Sequence, residues 1–286
     1  MKVWMNGKLV DKRAAKVSVW EHGLLYGDGV FEGIRAYNGR VFHCQAHIDR
    51  LYDSAKHIRL AIPFTKQELS DAIVDTLRAN GQKDAYIRLV VTRGEGNLGL
   101  NPFQCPTPGV FIIADKIELY PQDMYRDGMA VIVAKTLRTS ATMLSPAVKS
   151  LNYLNNIMAK IEAIDAGVAE AIMLNDKGEA AECTGDNLFI VKSGEVITPP
   201  PEAGFLMGIT RGVVIDLARK NGIAVHESAI KPHRLYDADE CFLTGTAAEV
   251  ISVTRIDGRT IGDGKPGPIT RKLLAAFRQF IAQTCK

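Results

Sequence analysis

The order of apolar and polar residues predicts hairpins alternating with amphipathic helices. Val3-Trp4-Met5 and Lys8-Leu9-Val10 flank Asn6-Gly7, the turn pair of a tight hairpin. Residues 29–37, from Gly29 through Phe31, Glu32 and Gly33 to Tyr37, alternate as a strand does, turn at Asn38-Gly39 and return as Arg40-Val41-Phe42. The period then lengthens over 46–58, where Ile48, Leu51, Tyr52, Ala55 and Ile58 share one face of a helix. A second helix is expected over 66–80, closed by Gly81, because a residue without a side chain takes up left-handed backbone readily. Strands are expected over 84–92 and 110–115.

Residues 118–128 are polar and proline-marked, and they read as a connection between domains. Beyond it come a strand over 129–135, a segment around Lys149, and a helix over 153–166 stopped by Gly167. A strand over 171–174, a turn at 175–178 and a strand over 188–191 follow. Gly208-Ile209-Thr210-Arg211 opens a helix through Lys220, with Gly222 beyond its end; Cys241 to Leu243 is a strand and 271–282 a final helix. Strands grouped in hairpins with interspersed helices argue for an α+β chain in two domains rather than a strict βαβ alternation. The expected division is a small N-terminal domain over 1–119, an interdomain loop over 120–128 and a larger domain over 129–286.

Composition adds exclusions. The chain has 286 residues, 47% hydrophobic and 23% charged, which suits two domains that each bury a core. A net charge of +3 without a run of like charges points to neither nucleic acid nor an acidic membrane as partner. No apolar run approaches the length of a membrane span, and the N-terminus lacks the apolar core of a signal peptide. Cys44, Cys105, Cys183, Cys241 and Cys285 are scattered and odd in number, the pattern of a reduced, cytoplasmic protein.

Two motifs mislead. Gly94-Glu95-Gly96-Asn97-Leu98-Gly99 has the GxGxxG spacing of a dinucleotide loop, but Pro102, Pro106 and Pro108 forbid the helix that must follow, so it reads as a loop over a site. His43 and His47 have the i, i+4 spacing of a metal pair and no evident third ligand; no metal is expected.

The chemistry lies elsewhere. A cofactor that is both aldehyde and phosphate needs a lysine for its imine, an anion site, and an acid against its ring nitrogen. Lys149, in Lys149-Ser150-Leu151-Asn152-Tyr153, is a candidate for the first. Gly208-Ile209-Thr210-Arg211, at a helix start, and the small-residue turn Gly245-Thr246-Ala247-Ala248 are candidates for the second. Glu182, shortly before an apolar strand, is a candidate for the third.

Together with Tyr26-Gly27-Asp28-Gly29-Val30-Phe31-Glu32-Gly33, His47-Ile48-Asp49-Arg50-Leu51 and Glu182-Cys183-Thr184-Gly185-Asp186-Asn187-Leu188-Phe189, these motifs resemble the class IV aminotransferases over about residues 3 to 283. Within that family the resemblance is to the branched-chain amino acid aminotransferases. It implies the two-domain fold-type IV architecture (the D-amino acid aminotransferase-like fold) with pyridoxal 5'-phosphate (PLP) at the domain interface. It also implies reversible transfer of an amino group between leucine, isoleucine or valine and 2-oxoglutarate through a PLP Schiff base, and a homodimer or a trimer of such dimers.

Carried over residue by residue, the resemblance makes Lys149 both the imine partner and the proton carrier, and gives Glu182 to the pyridine nitrogen. Tyr153 would bind the ring oxygen; Arg50, Ile209, Thr210 and Thr246 would hold the phosphate, with Arg138 near it; Asn187 and Leu206 complete the cofactor set. Phe31, Gly33, Tyr86, Arg88, Tyr120, Thr246 and Ala247 would line the substrate pocket, with Tyr26 and Leu100 reaching across a dimer interface. D-amino acid aminotransferases and aminodeoxychorismate lyases share the cofactor residues. However, the former place an arginine and a histidine in the loop that here reads Asn97-Leu98-Gly99-Leu100-Asn101, and the latter fit less well around Phe31 to Arg35 and Gly245 to Ala248. A non-catalytic PLP carrier is the reading from another class; it would not need to keep Lys149, Tyr153 and Glu182 together.

Overall fold

The computed structural model describes residues 1–117 and 120–285, and the chain divides into two compact units. The first comprises Met1–Ile117, Val148–Asn152 and Gln283–Lys286; the second comprises Glu118–Ala147 and Tyr153–Ala282.

In the first unit, β1 (Lys2–Met5) and β2 (Lys8–Asp11) form the expected hairpin, with Asn6 and Gly7 at positive φ as a type I′ turn requires. A short helix α1 (His22–Tyr26) precedes β3 (Gly29–Tyr37) and β4 (Arg40–Val41). Then come α2 (Cys44–His57), α3 (Lys66–Ala79), β5 (Ala85–Thr92) and β6 (Gly109–Asp115). The six strands make one sheet in the order β2-β1-β6-β5-β3-β4. Strand alternation splits the two faces. Val30, Ile34, Ile87, Leu89 and Val91 pack with Ile48 and Leu51 of α2 and with Leu69 and Ile73 of α3, while Phe31, Gly33, Tyr86 and Arg88 belong to the opposite face. The apolar stripe of α2 is the one the sequence predicts, and α3 starts on a capping box between Thr65 and Glu68.

One segment far along the chain joins this sheet. Ser150 bridges Val30 in antiparallel fashion, the Phe31 amide donates to the Lys149 carbonyl at 3.0 Å, and the Leu151 amide donates to the Gly29 carbonyl at 2.9 Å. Residues 148–152 are therefore extended and belong with β3. The sequence reading puts Lys149 in the larger domain over 129–286; the free edge of β3 beyond β4 supplies the backbone partners that draw residues 148–152 into the first unit.

The second unit holds α4 (Gln122–Asp127), β7 (Met129–Val133), α5 (Leu154–Asp165), β8 (Glu170–Leu174), β9 (Ala180–Cys183), β10 (Asn187–Lys192), β11 (Glu195–Thr198) and α6 (Ile209–Lys220). It continues with β12 (Val225–Glu227), α7 (Pro232–Tyr236), β13 (Glu240–Gly245), β14 (Glu249–Ile256), β15 (Arg259–Thr260) and α8 (Pro268–Thr284). Its sheet runs β12-β11-β10-β13-β14-β7-β8-β9, with β15 on β14 and parallel pairs at β11–β12, β14–β7 and β7–β8. Residues 120–128, read as a loop, carry α4 instead. Met124 and Tyr125 pack on the core around β14, and the Tyr125 hydroxyl donates to the Ala248 carbonyl at 3.0 Å. The 119 boundary lies outside the described residues.

Candidate active site

In the first unit, the expected substrate residues converge. Gly33 pairs with Arg88 across β3 and β5, and Phe31 lies two residues before it on the same face. The Arg88 guanidinium carbon sits 4.5 Å from the centre of the Phe31 ring, and Lys149 Nζ sits 4.6 Å from that same centre. Arg88 Nη2 donates to the Tyr86 hydroxyl at 3.2 Å, while Arg88 Nε is buried without a partner. Gly33 is glycine for a reason of space: a Cβ there would stand 2.0 Å from the Tyr86 hydroxyl oxygen. Arg88 and Lys149 over one aromatic ring, beside a phenol that the glycine lets approach closely, form an apolar wall with donors for a carboxylate.

Behind that wall lies an ion cluster the sequence reading missed. Glu32 is fully buried and accepts from Arg50 Nε at 2.7 Å, from Arg50 Nη2 at 2.8 Å and from His47 Nδ1 at 2.7 Å. Burial pushes the Glu32 carboxyl up, but the bonds and charges of Arg50 and His47 outweigh it and bring the group down to about 2. His47 is pushed down by its own burial, with Glu32 pulling the other way and the charges of Arg50 and Lys149 adding to the fall. One edge of the Arg50 fork is thus spent on Glu32, and its expected hold on a phosphate falls to the rest of a guanidinium with five donors. The signal was present: Glu32 shares its strand parity with Val30 and Ile34, so a carboxylate falls on the apolar face. His47 is the buried partner of Glu32, and His43 is the half-turned residue that starts α2, so the two do not form a metal pair.

The GxGxxG segment is a loop, as its prolines require. Gly94 has φ near +99°, and a Cβ there would meet the Thr107 carbonyl oxygen at 1.9 Å. Tyr26 donates to the Leu98 carbonyl at 2.6 Å, and Leu98 and Leu100 stand exposed.

In the second unit, the cofactor residues converge on Glu182. This residue lies inside β9, opposite Met173 of β8, and shortly before the apolar β10, as the sequence reading has it. Its carboxylate accepts from Arg138 Nε at 2.7 Å and from the Leu206 amide at 3.1 Å. Asn155 of α5 holds Arg138 in turn, accepting from Nη1 at 3.0 Å. Arg138, which the resemblance puts near the phosphate, orients the acid. Asn187 Nδ2 donates to the Leu206 carbonyl at 2.9 Å, so Leu206 ties Glu182 to Asn187 through its backbone.

Gly208 begins α6 with no side-chain cap, leaving the first amides of a 12-residue helix, at Ile209 and Thr210, without a side-chain acceptor of their own. A Cβ on Gly208 would stand 1.9 Å from Asn187 Oδ1. Thr246 and Ala247 lie at the tip of the β13–β14 hairpin, and Thr244 Oγ1 beneath it is buried without a partner. Tyr153 caps the start of α5.

Tyr120 is placed differently. It is buried in the core of the second unit, where its hydroxyl donates to Asp186 Oδ2 at 2.9 Å and lies 3.4 Å from Glu170 Oε2. It belongs to a buried acid cluster and not to a substrate wall.

An uncapped helix start and an oriented buried carboxylate fit the phosphate and ring nitrogen of PLP. A lysine on an aromatic ring fits its aldehyde. Comparison with known proteins agrees. The family model for amino-transferase class IV matches residues 29–256. A Methanocaldococcus jannaschii protein, provisionally named a branched-chain-amino-acid aminotransferase, is 55% identical over 278 residues, 97% of this chain and 96% of that protein. The crystal structure of the Escherichia coli branched-chain amino acid aminotransferase superimposes with a TM-score of 0.95 at 37% identity, covering 97% of this chain and 93% of that one. The PLP form of the branched-chain amino acid aminotransferase from Thermobaculum terrenum does so with a TM-score of 0.90 at 32% identity, covering 99% and 94%. On the match of the family model and on this identity over nearly the whole chain, the protein belongs to the class IV aminotransferases.

Proposed function

We propose that this chain is a PLP-dependent branched-chain-amino-acid aminotransferase, moving the amino group of leucine, isoleucine or valine to 2-oxoglutarate and back. The observation that carries the substrate reading is the face made by Phe31, Gly33, Tyr86 and Arg88 beside Lys149. Such a wall takes an aliphatic side chain against its apolar part and a second carboxylate on Arg88, as two alternating substrates require.

Bound PLP supplies an aldehyde that exchanges the lysine amine for the substrate amine, and a ring that draws electrons from the substrate Cα. The chain supplies the rest. Lys149 Nζ would hold the aldehyde carbon and, when freed by the substrate amine, would serve as the base that moves the substrate Cα proton. Glu182, held by Arg138 and the Leu206 amide, presents its carboxylate to the ring nitrogen. For the phosphate the chain offers the Ile209 and Thr210 amides, with Thr246, in the second unit and the Arg50 guanidinium in the first, and Tyr153 would bind the ring oxygen. Thr246 and Ala247 hold the α-carboxylate with their backbone amides. The exposed apolar residues Leu98 and Leu100, with Tyr26, support a homodimer in which this loop reaches the second copy. Five cysteines without a disulfide among the described residues, and no described helix long and apolar enough to cross a membrane, support a cytoplasmic location.

The test is a panel of L- and D-amino acids against 2-oxoglutarate. L-leucine, L-isoleucine and L-valine are expected as the best donors, with turnover abolished in Lys149→Ala; D-alanine as the preferred donor, or steady turnover without the lysine, would overturn the reading.

A further inference from the structure

Glu170 of β8 and Asp186 between β9 and β10 are both buried, and both lie within reach of the single hydroxyl of Tyr120, at 3.4 and 2.9 Å. Their surroundings are unequal. Glu170 Oε1 accepts from the Ala171 amide at 2.7 Å, the Thr184 amide at 3.1 Å and the Thr184 hydroxyl at 2.5 Å, while Lys160 Nζ of α5 stands 3.6 Å from Oε2. Three hydrogen-bond donors and the Lys160 ammonium thus gather on Glu170. For Asp186 the side-chain donor is the Tyr120 hydroxyl, and its other oxygen is pressed against Gly245, where a Cβ would stand 1.9 Å from Oδ1. The charge of Lys160, which sits on Glu170, reaches Asp186 as well. Glu182 of β9 also faces Asp186 and adds negative charge, its own carboxylate being paired with Arg138 at 2.7 Å. Two carboxylates around one hydroxyl in a dry site cannot both stay ionised cheaply.

We infer that Asp186 holds a proton that it releases as pH rises through neutrality, and that the Glu170–Asp186 pair acts as a positioning device for the active-site hairpin. With the proton on Asp186, the 2.9 Å contact runs the other way: the carboxyl donates to the Tyr120 oxygen, and the Tyr120 hydroxyl donates to Glu170. All three groups are then satisfied in one directed chain. The chain links β8 to the β9–β10 hairpin, which carries Glu182 and Asn187. It also sets Asp186 against Gly245, the first residue of the turn that presents Thr246 and Ala247. Burial and the Glu170 charge push Asp186 up to about 7, which agrees with the geometry. As pH rises through that value a second negative charge appears in the core, and the contact with the turn loosens.

The positioning half of this inference rests on the proposed reaction; the proton does not. Infrared spectroscopy of the holoenzyme is expected to show a protonated-carboxyl band that titrates near neutral pH and is absent in Asp186→Asn. The ratio of kcat/KM for Asp186→Asn to that of the wild type should rise about three- to tenfold between about pH 6 and pH 8, because only the wild type gains the second charge. No titrating band in the wild type overturns the shared proton. A band with a flat ratio overturns the positioning role, and inactivity of both proteins at every pH overturns the proposed reaction instead.

Discussion

Glu32 shows how one residue can serve both folding and chemistry. Its carboxylate is buried, bonded twice to Arg50 and once to His47, and held near 2 against an ordinary value of 4.5. A depressed carboxylate stabilises the fold fully above its unfolded value and loses that contribution as pH falls toward its folded value. The window here runs from about 4.5 down to about 2. Glu32→Gln is expected to lower the unfolding free energy by about 3 kcal/mol near pH 6, with the difference from wild type shrinking steadily toward about pH 3. Urea unfolding at both pH values checks this; a difference that stays constant would remove the ion cluster from the stability account. At this scale the sequence was informative but incomplete. Lys149, Phe31, Gly33, Tyr86 and Arg88 were legible, and the structure brings them together. Arg138 and Tyr120 were assigned by position in a motif, and their hydrogen-bond partners, which no motif records, gave them other work.

Among the elements, α6 matters most for the cofactor. It starts on Gly208 with no side-chain cap, and the space a Cβ would need is filled by Asn187 Oδ1. Gly208→Ala must push Asn187 away, and Asn187 holds the Leu206 carbonyl while the Leu206 amide holds Glu182. The variant is expected to bind PLP at least about tenfold more weakly, a loss of about 1.4 kcal/mol, in an absorbance titration of the cofactor-free protein. Unchanged affinity would mean that this helix start is not built for close approach. The helices were the most readable elements, since α2, α3, α5 and α6 each carry a 3.6-residue stripe or a glycine stop. Short strands such as β11 and β12 exist because each has a neighbour to pair with, a condition that local periodicity does not contain. The run Val250-Ile251-Ser252-Val253-Thr254 of β14 was a β-branched signal that went unread.

For the whole molecule, cofactor binding and stability are linked by mass action. PLP added to cofactor-free protein at about 100 times its dissociation constant should stabilise the native state by about 2.7 kcal/mol, a rise in thermal midpoint of about 5–10 °C. On the proposed phosphate role of the α6 start, pyridoxal without its phosphate should give a much smaller rise. Scanning calorimetry with the two ligands separates these outcomes, and equal shifts would argue against a phosphate site.

The sequence by itself determined helices α2, α3, α5, α6 and α8, the hairpins β1–β2 and β3–β4, the glycine stops and the set of residue types that PLP chemistry needs, because each is written in local spacing or in a recognisable motif. The tertiary structure alone decided that residues 148–152 lie along β3, which sets Lys149 over Phe31. It alone decided that Glu32 binds Arg50, that Arg138 holds Glu182, and that Glu170 and Asp186 meet at Tyr120. Charged groups far apart in the chain find one another only when folding removes the water between them, so their pairing is a property of the packed molecule and leaves no period in the sequence.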